Sequence, residues 1–562
     1  MNRNSESHFS ENPTVDISRS KFDRSFTHKT TFNTGKLIPI YCDTTIMPGD
    51  TVKMRMSQVV RMMTPITPVM DNANIDLYFF FVPYRLIWNH FKRFMGENDT
   101  APWIQEQEYE IPQVKFPIKT FGGGTAGWHK GDIADYLGYP TEIGAETDEN
   151  AGDYQASILP FRAYALIWNE FFRDENLQNP VNVESDADDA KRGVSQYYTS
   201  YDPVTSTCRG GAPLNVCKYH DYFTSCLPGP QKGPTISIPL STNAAPVVYG
   251  ERNPDPADPL SPGWTKIYDE YGTKTVIAND GGSLPLATVG GVPLDSQYYQ
   301  FYTDLSNATG ATVNQLRQAF AIQKFYERQA LGGSRYIEMV KAHFDVTNPD
   351  YRVQRPEYLG GKRIPININQ VIQSTPTNGE STPLGATGAY SLTADSDEMF
   401  TKSFTEHGIL MGLCCIRTVH TYQQGLNAQY SKRKLTDFYF PEFANLGNQP
   451  VYSRELYYGT DAEKNEEAFG YQEAWATERY FPDIVTGSMR SNYSGTLDVW
   501  HWADYYEERP ELGDKWIQET DENIKRTLAI QDEDQFKADF YFGAVYTRPM
   551  PLYSIPGLID HH

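Results

Sequence analysis

Between Ile17 and Lys36 five cations, Arg19, Lys21, Arg24, Lys29 and Lys36, stand against one acid, Asp23, with Phe22, Phe26 and Phe32 interleaved. Cations grip phosphates and rings stack on bases, so this composition suits a flexible single-stranded nucleic acid. It equally suits an arm whose rings are buried under a neighbouring chain, and the two readings are compatible. Other chemistry is less complete. Gly122-Gly123-Gly124-Thr125-Ala126-Gly127 matches a dinucleotide fingerprint. However, Pro117 interrupts the strand before it, and no βαβ unit with a distal acid follows. Asp186, Asp188 and Asp189, and Asp255 with Asp258, offer oxygens suited to calcium without the EF-hand spacing. Cys208, Cys217 and Cys226 recur every nine residues, lacking the close pair of a zinc site, and Cys414-Cys415 reads as two small buried hydrophobes. The 11 histidines form no H-E-x-x-H, and neither G-x-S-x-G nor a Walker loop occurs. The expectation is no catalytic residue, no metal and no cofactor.

The elements that must carry these residues are dense in rings. Asp76 to Val82 is an aromatic strand ending at Pro83, which opens a helix carrying Leu86, Ile87, Trp88, Phe91 and Phe94 and closing at Gly96. Leu-Ile-Trp-Asn returns at Leu166 to Asn169, followed by Phe171, in a helix opened by Pro160. Phe80, Trp88, Trp168 and Phe171 are therefore expected to anchor a thick core or a contact with another chain. Leu37 to Tyr41, the alternation Val52, Met54, Met56 with Lys53 and Arg55 between, Phe404 to His420 and Phe540 to Tyr546 read as further strands. Thr312 and Gln315 form a capping box for a helix over Val313 to Leu331, and Ser334 caps a second through Phe344. Residues 241–310 are rich in turns and studded with Tyr249, Trp264, Tyr268 and Tyr271, a composition suited to a recognition loop. The thirteen acids between Asp498 and Asp539 predict a solvated face. Many strands, helices in long connections and no βαβ alternation predict a mainly β, antiparallel sandwich. Residues 1–35 read as a basic, aromatic N-terminal arm, and 36–562 as a single domain with insertions.

The chain has 562 residues and a net charge of −22. Such a surface repels nucleic acid at long range, so any contact with it must be local. No segment supplies the ~20 apolar residues of a bilayer span, and the N-terminus lacks the apolar core of a signal peptide. The expected location is a cytoplasm.

The same segments resemble the major capsid proteins of the gokushovirus branch of the Microviridae, small icosahedral single-stranded DNA phages. The resemblance rests on His28 to Asn33, Phe79 to Pro83, Trp168-Asn169-Glu170 with Arg173 to Asn176, Asp221 to Thr224 and Pro230 to Gly233. It continues through Gln354 to Gly361, Thr405 to Gly408, Thr421 to Leu426, Arg548 to Pro551 and Pro556 to Asp560. It implies an eight-stranded jelly roll with long insertions, sixty copies in a T=1 shell, and assembly in the bacterial cytoplasm. It also implies that 241–310 forms a three-fold protrusion facing a host-surface receptor, and that scaffolding and pilot proteins take part. A shell of such acidic chains cannot neutralise its genome, so a separate small basic DNA-binding protein or cations must. A carbohydrate-active β-sandwich enzyme, with two carboxylates about 5–10 Å apart, and a non-shell adhesin are the alternatives.

Overall fold

A computed structural model describes residues 18–97, 109–117, 128–141, 153–186, 190–191, 211–234, 236, 312–375 and 384–553. It also describes strands at Val247–Arg252, Thr265–Ile267, Leu286–Val289, Val292–Leu294 and Tyr299–Asp304. Two antiparallel sheets dominate. We name their strands β1 (Ser20–Asp23), β2 (Phe26–Phe32), β3 (Ile38–Ile46), β4 (Thr51–Met62), β5 (Ala73–Pro83), β6 (Glu357–Pro365), β7 (Thr393–Ser403), β8 (Gly408–Thr418) and β9 (Phe536–Arg548). In the first sheet β9 lies between β4 and the pair β1 and β2, and β7 flanks β4 on its far side. The second sheet runs β6, β5, β8, β3.

Strand periodicity explains where the core sits. Val52, Met54, Met56 and Val60 of β4 and Phe536, Phe540, Phe542 and Tyr546 of β9 point inward, while their neighbours face solvent. They meet Ile75, Leu77, Phe79 and Phe81 of β5 in one cluster shared by both sheets. The second sheet is buried on its other face too. Phe80 and Val82 of β5, with Ile409, Met411, Leu413 and Cys415 of β8, enter a cluster built largely from the chain between β5 and β6. That double burial is why β5 and β8 read as continuous apolar runs rather than alternating ones. Gly412, in mid-β8, makes room for the crossing. A Cβ there would lie 2.8 Å from Phe79 Cε1 and 2.9 Å from Tyr41 Cβ. We expect Gly412→Ala to destabilise the chain by about 1–3 kcal/mol through overpacking, read as a lowered thermal midpoint.

The long connections carry the helices. The expected helix after Pro83 is two short turns, Tyr84–Ile87 and Phe91–Phe94, because Trp88 is extended at φ −150° and ψ 111°. Its counterpart, α1 (Leu159–Ile167), widens into a π segment at Trp168–Phe172. Helix α2 (Val313–Leu331) has its expected cap: the Gln315 amide donates to Thr312 Oγ1 at 3.2 Å and the Thr312 amide to Gln315 Oε1 at 2.9 Å. Helix α3 (Tyr336–Phe344) is capped at Arg335 rather than Ser334, whose hydroxyl instead donates to Asn176 Oδ1 at 2.9 Å. No helix among the described residues is long and apolar enough to cross a membrane.

The chain divides into two compact units, one of residues 1–230 with 332–562 and the other Gln231–Leu331. The smaller unit holds a three-stranded sheet in which Val247–Arg252 lies between Thr265–Ile267 and Tyr299–Asp304. Helix α2 belongs to the same unit.

Candidate assembly and nucleic-acid surfaces

From Ser20 onward the expected N-terminal arm is sheet, not arm. Backbone pairing of β1 and β2 with β9 fixes every second side chain inward. This divides the eight candidate nucleic-acid residues. Phe32 is buried, stacked against Phe536 at 6.2 Å between ring centres, and cannot meet a base. Phe22 packs on the core, and Phe26, at the sheet edge, rests on Phe542 at 5.3 Å. Burial lowers the Lys36 pKa, and its Nζ donates to Asn215 Oδ1 at 2.6 Å. Arg24 is partly buried, which works against its charge, but contact with the Asp43 carboxylate outweighs this and raises its pKa. Lys29 pairs with Asp539 at 3.1 Å on the surface. Only Arg19, Lys21 and Lys29 of the original cations stay well exposed and free of a buried partner.

The four aromatic anchors do converge. Trp88 is fully buried, Trp168 is 2 % exposed and Phe80 1 % exposed, all in the cluster outside the second sheet. Phe171 lies 4.7 Å from Phe80, and the Trp168 indole donates to Asn215 O at 2.8 Å. They are core of a single chain, so the contact with another chain must use other groups. Such groups exist. Tyr430, Tyr480 and Ile484 are exposed around a cavity of about 300 Å³ also lined by Tyr422 and Leu426, and Leu435, Phe438 and Tyr439 are exposed on the neighbouring stretch of chain. Exposed apolar groups gathered in this way mark interaction surfaces.

A buried ionic knot was not foreseen. His420 bridges two carboxylates, its Nδ1 3.0 Å from Asp504 Oδ1 and its Nε2 2.9 Å from Glu519 Oε2. Lys218 Nζ lies 3.0 Å from Asp504 Oδ2, and Thr418 donates to Glu519 Oε1 at 2.7 Å. Burial disfavours the charged imidazole, but Asp504 and Glu519 outweigh it and push the pKa up to about 10. Asp504 is held well below the usual carboxylate range because His420 and Lys218 offset its burial. Two of the thirteen acids expected on a solvated face thus sit inside the molecule. A second knot joins strands of one sheet: Asp76 of β5 accepts from Arg363 Nε at 2.7 Å, Arg417 Nε at 3.1 Å and the Tyr219 hydroxyl at 2.8 Å. Both knots are filled by their own partners. Burial also pushes the Cys415 thiol up to about 12 and raises Cys414 and Cys226. No group of three or more His, Cys, Asp or Glu side chains among the described residues is arranged to hold a metal ion. Of the acids considered for calcium, Asp186 accepts from the Asn89 amide. Asp188, Asp189, Asp255 and Asp258 lie outside the described residues, as do Gly122 to Gly127 and Cys208.

Comparison with known proteins decides between the readings left open. The family described as capsid protein (F protein) matches residues 10–558. The chain belongs to that capsid family. It is 37 % identical to capsid protein VP1 of Chlamydia phage 1, over 98 % of this chain and 97 % of that one. It is 36 % identical to capsid protein VP1 of Bdellovibrio phage phiMH2K, over 99 % and 98 % of the two chains, and 35 % to that of Spiroplasma virus 4, over 94 % of each. This capsid protein is therefore a structural component of a virion of the single-stranded DNA Microviridae, with gokushovirus-type relatives, and not an enzyme. Of the residues proposed to face a receptor, Tyr249 lies in the central strand of the smaller unit, opposite Lys266 and Tyr302. Trp264, Tyr268 and Tyr271 lie outside the described residues.

Proposed function

We propose that this capsid protein closes, in sixty copies, a T=1 icosahedral shell around circular single-stranded DNA. Its two sheets act as an eight-stranded jelly-roll frame in that reading, with β1 and β2, which pair in succession along β9, counted as one edge strand. The full-length match to the capsid family carries it. The packing of both sheets on one core supports a rigid frame, and the exposed rings around Tyr430 and Tyr480 supply apolar surface for copy-to-copy contact. Residues 241–310, within the compact unit Gln231–Leu331, form the three-fold protrusion and meet the host receptor. Arg19, Lys21 and Lys29 reach the genome from the inner surface. A small basic protein or cations neutralise most of the DNA, because the chain itself carries −22. Scaffolding and pilot proteins are the remaining partners.

Electron microscopy of the chain expressed with its assembly partners tests this. Closed particles of one size are expected. Open sheets, or a chain that stays solitary under every assembly condition, would defeat it. Deleting 241–310 is expected to leave particles that form but no longer adsorb to host cells; unaltered adsorption would remove the receptor role.

A further inference from the structure

The outward face of the first sheet concentrates positive charge on a strongly acidic chain. Register fixes which residues share it. Lys53, Arg55, Ser57, Val59 and Arg61 of β4 stand opposite Val545 to Lys537 of β9 through the pairs Lys53↔Val545, Arg55↔Gly543, Ser57↔Tyr541, Val59↔Asp539 and Arg61↔Lys537. Lys29 and Lys21 extend the face through Lys29↔Asp539 and Lys21↔Thr547. Six cations, Lys21, Lys29, Lys53, Arg55, Arg61 and Lys537, therefore share it with three carboxylates, Asp23, Glu398 and Asp539. Lys29 is paired with Asp539 at 3.1 Å, Lys53 with Glu398 at 3.0 Å and Lys537 with Glu533, just before β9, at 3.8 Å, all in water. Exposed pairs of this kind contribute little to stability and exchange readily for a phosphate. Lys21, Arg55 and Arg61 form no ion pair among the described residues.

The rest of the face fits the same ligand. Tyr541, 45 % exposed, stands beside Gly543, whose missing side chain leaves one flank of the ring open. Threonine and serine hydroxyls fill the positions between. A groove of about 700 Å³, lined by Lys29, Thr31, Val59, Arg61 and Lys537, runs along the β2, β9 and β4 end of the face, with Asp135 and Asp539 at its walls.

We propose that this sheet face binds single-stranded nucleic acid, Arg55, Arg61 and Lys537 gripping phosphates and Tyr541 stacking on a base. It rests on the reading above that the shell holds single-stranded DNA, and it moves most of the contact from the N-terminal segment to β4 and β9. The charge argument selects the occupant. A net-negative molecule repels a polyanion everywhere except where cations are locally in excess, and an apolar or cationic partner gains nothing from them. A lone exposed ring among cations and hydroxyls is the pattern of a sequence-tolerant single-strand platform.

The test is titration of fluorescent oligo-dT with the purified full-length chain at several salt concentrations. Each phosphate contact adds roughly 0.7 to the slope of log affinity against log salt for single strands. Arg55→Gln, Arg61→Gln and Lys537→Gln together are expected to lower that slope by about 2. Tyr541→Ser is expected to weaken binding about tenfold with the slope unchanged. A control that removes three cations elsewhere, Lys432→Gln, Arg433→Gln and Lys434→Gln, is expected to leave the slope as it was. An unchanged slope in the first variant, an equal fall in the control, or full competition by polyglutamate of matched charge overturns the proposal. Microscopy of the same variants separates this from the shell itself. Particles that form but retain less DNA support the face as the contact, whereas absence of particles from the unaltered chain would count against the shell and leave the slope comparison standing.

Discussion

His420→Ala lowers the stability of the folded chain by about 3–5 kcal/mol, the loss expected when one partner of a buried ion pair is removed. The imidazole is the only group that touches both Asp504 and Glu519 among the described residues, and all three are at least nine-tenths buried. Among the described residues, removing it leaves the Glu519 carboxylate with Thr418 and that of Asp504 with Lys218, Tyr506 and Asn523. Glu519 then carries most of the penalty, because a hydroxyl cannot balance a buried charge. The sign of the pH dependence follows from the raised imidazole pKa. The unfolded chain has an ordinary histidine near 6.5, the folded one about 10. The contribution of His420 is therefore complete below about pH 6.5, declines as the pH rises, and is gone above about pH 10. Asp504 works in the opposite sense. Its pKa is depressed, so its contribution is present above about pH 4 and is lost in acid as the pH falls through its folded value. Thermal midpoints measured from pH 6 to 10 should fall for the unaltered chain and change far less for His420→Ala. Equal slopes in the two would show that the histidine is neutral in the fold. His420→Gln, which still donates to one carboxylate without a charge, is expected to lie between them.

That knot shows where reading from sequence stops. The strands were legible because their signals are local: alternation through Val52, Met54 and Met56, the punctuating Pro83, and the run over Gly408 to Ile416 each lie within a dozen residues. The cap of α2 was legible for the same reason. Lys218 and His420 are far along the chain from each other and from Asp504 and Glu519, and nothing near any of the four marks it as a partner of the rest. The N-terminal segment failed in the opposite direction. Its polarity resembled an arm because β1 and β2 form an edge, with alternate side chains in water and few aliphatics turned in. Only pairing with β9, some five hundred residues away, shows that Phe32 is core and that Lys29 is surface. The cations of β4 were visible as the polar half of an alternation. Their meeting with Lys537 depends on a register that no local pattern encodes.

Trp168→Ala is the substitution that best separates an aromatic serving the fold from one serving assembly. The side chain is 2 % exposed in the single chain, so a neighbouring copy has almost nothing of it left to cover. Truncation removes a packed ring and strands the Asn215 carbonyl that now accepts from the indole at 2.8 Å. A loss of about 3–5 kcal/mol is expected from the cavity alone. The damage should reach the sheet. The π segment that carries Trp168 also sets Phe171 at 4.7 Å from Phe80 and Phe172 at 5.0 Å from Tyr78, so its collapse loosens the outer face of β5. Trp88→Ala should behave alike, since Trp88 is fully buried in the same cluster. Both variants are expected to melt at lower temperature as isolated chains and to give few or no particles. Tyr430→Ala and Tyr480→Ala, whose rings are 74 % and 54 % exposed, are expected to do the reverse, with ordinary melting and impaired particle yield. Normal melting and normal yield from Trp168→Ala would refute the core assignment, while normal melting with no particles would return the ring to an interface between copies.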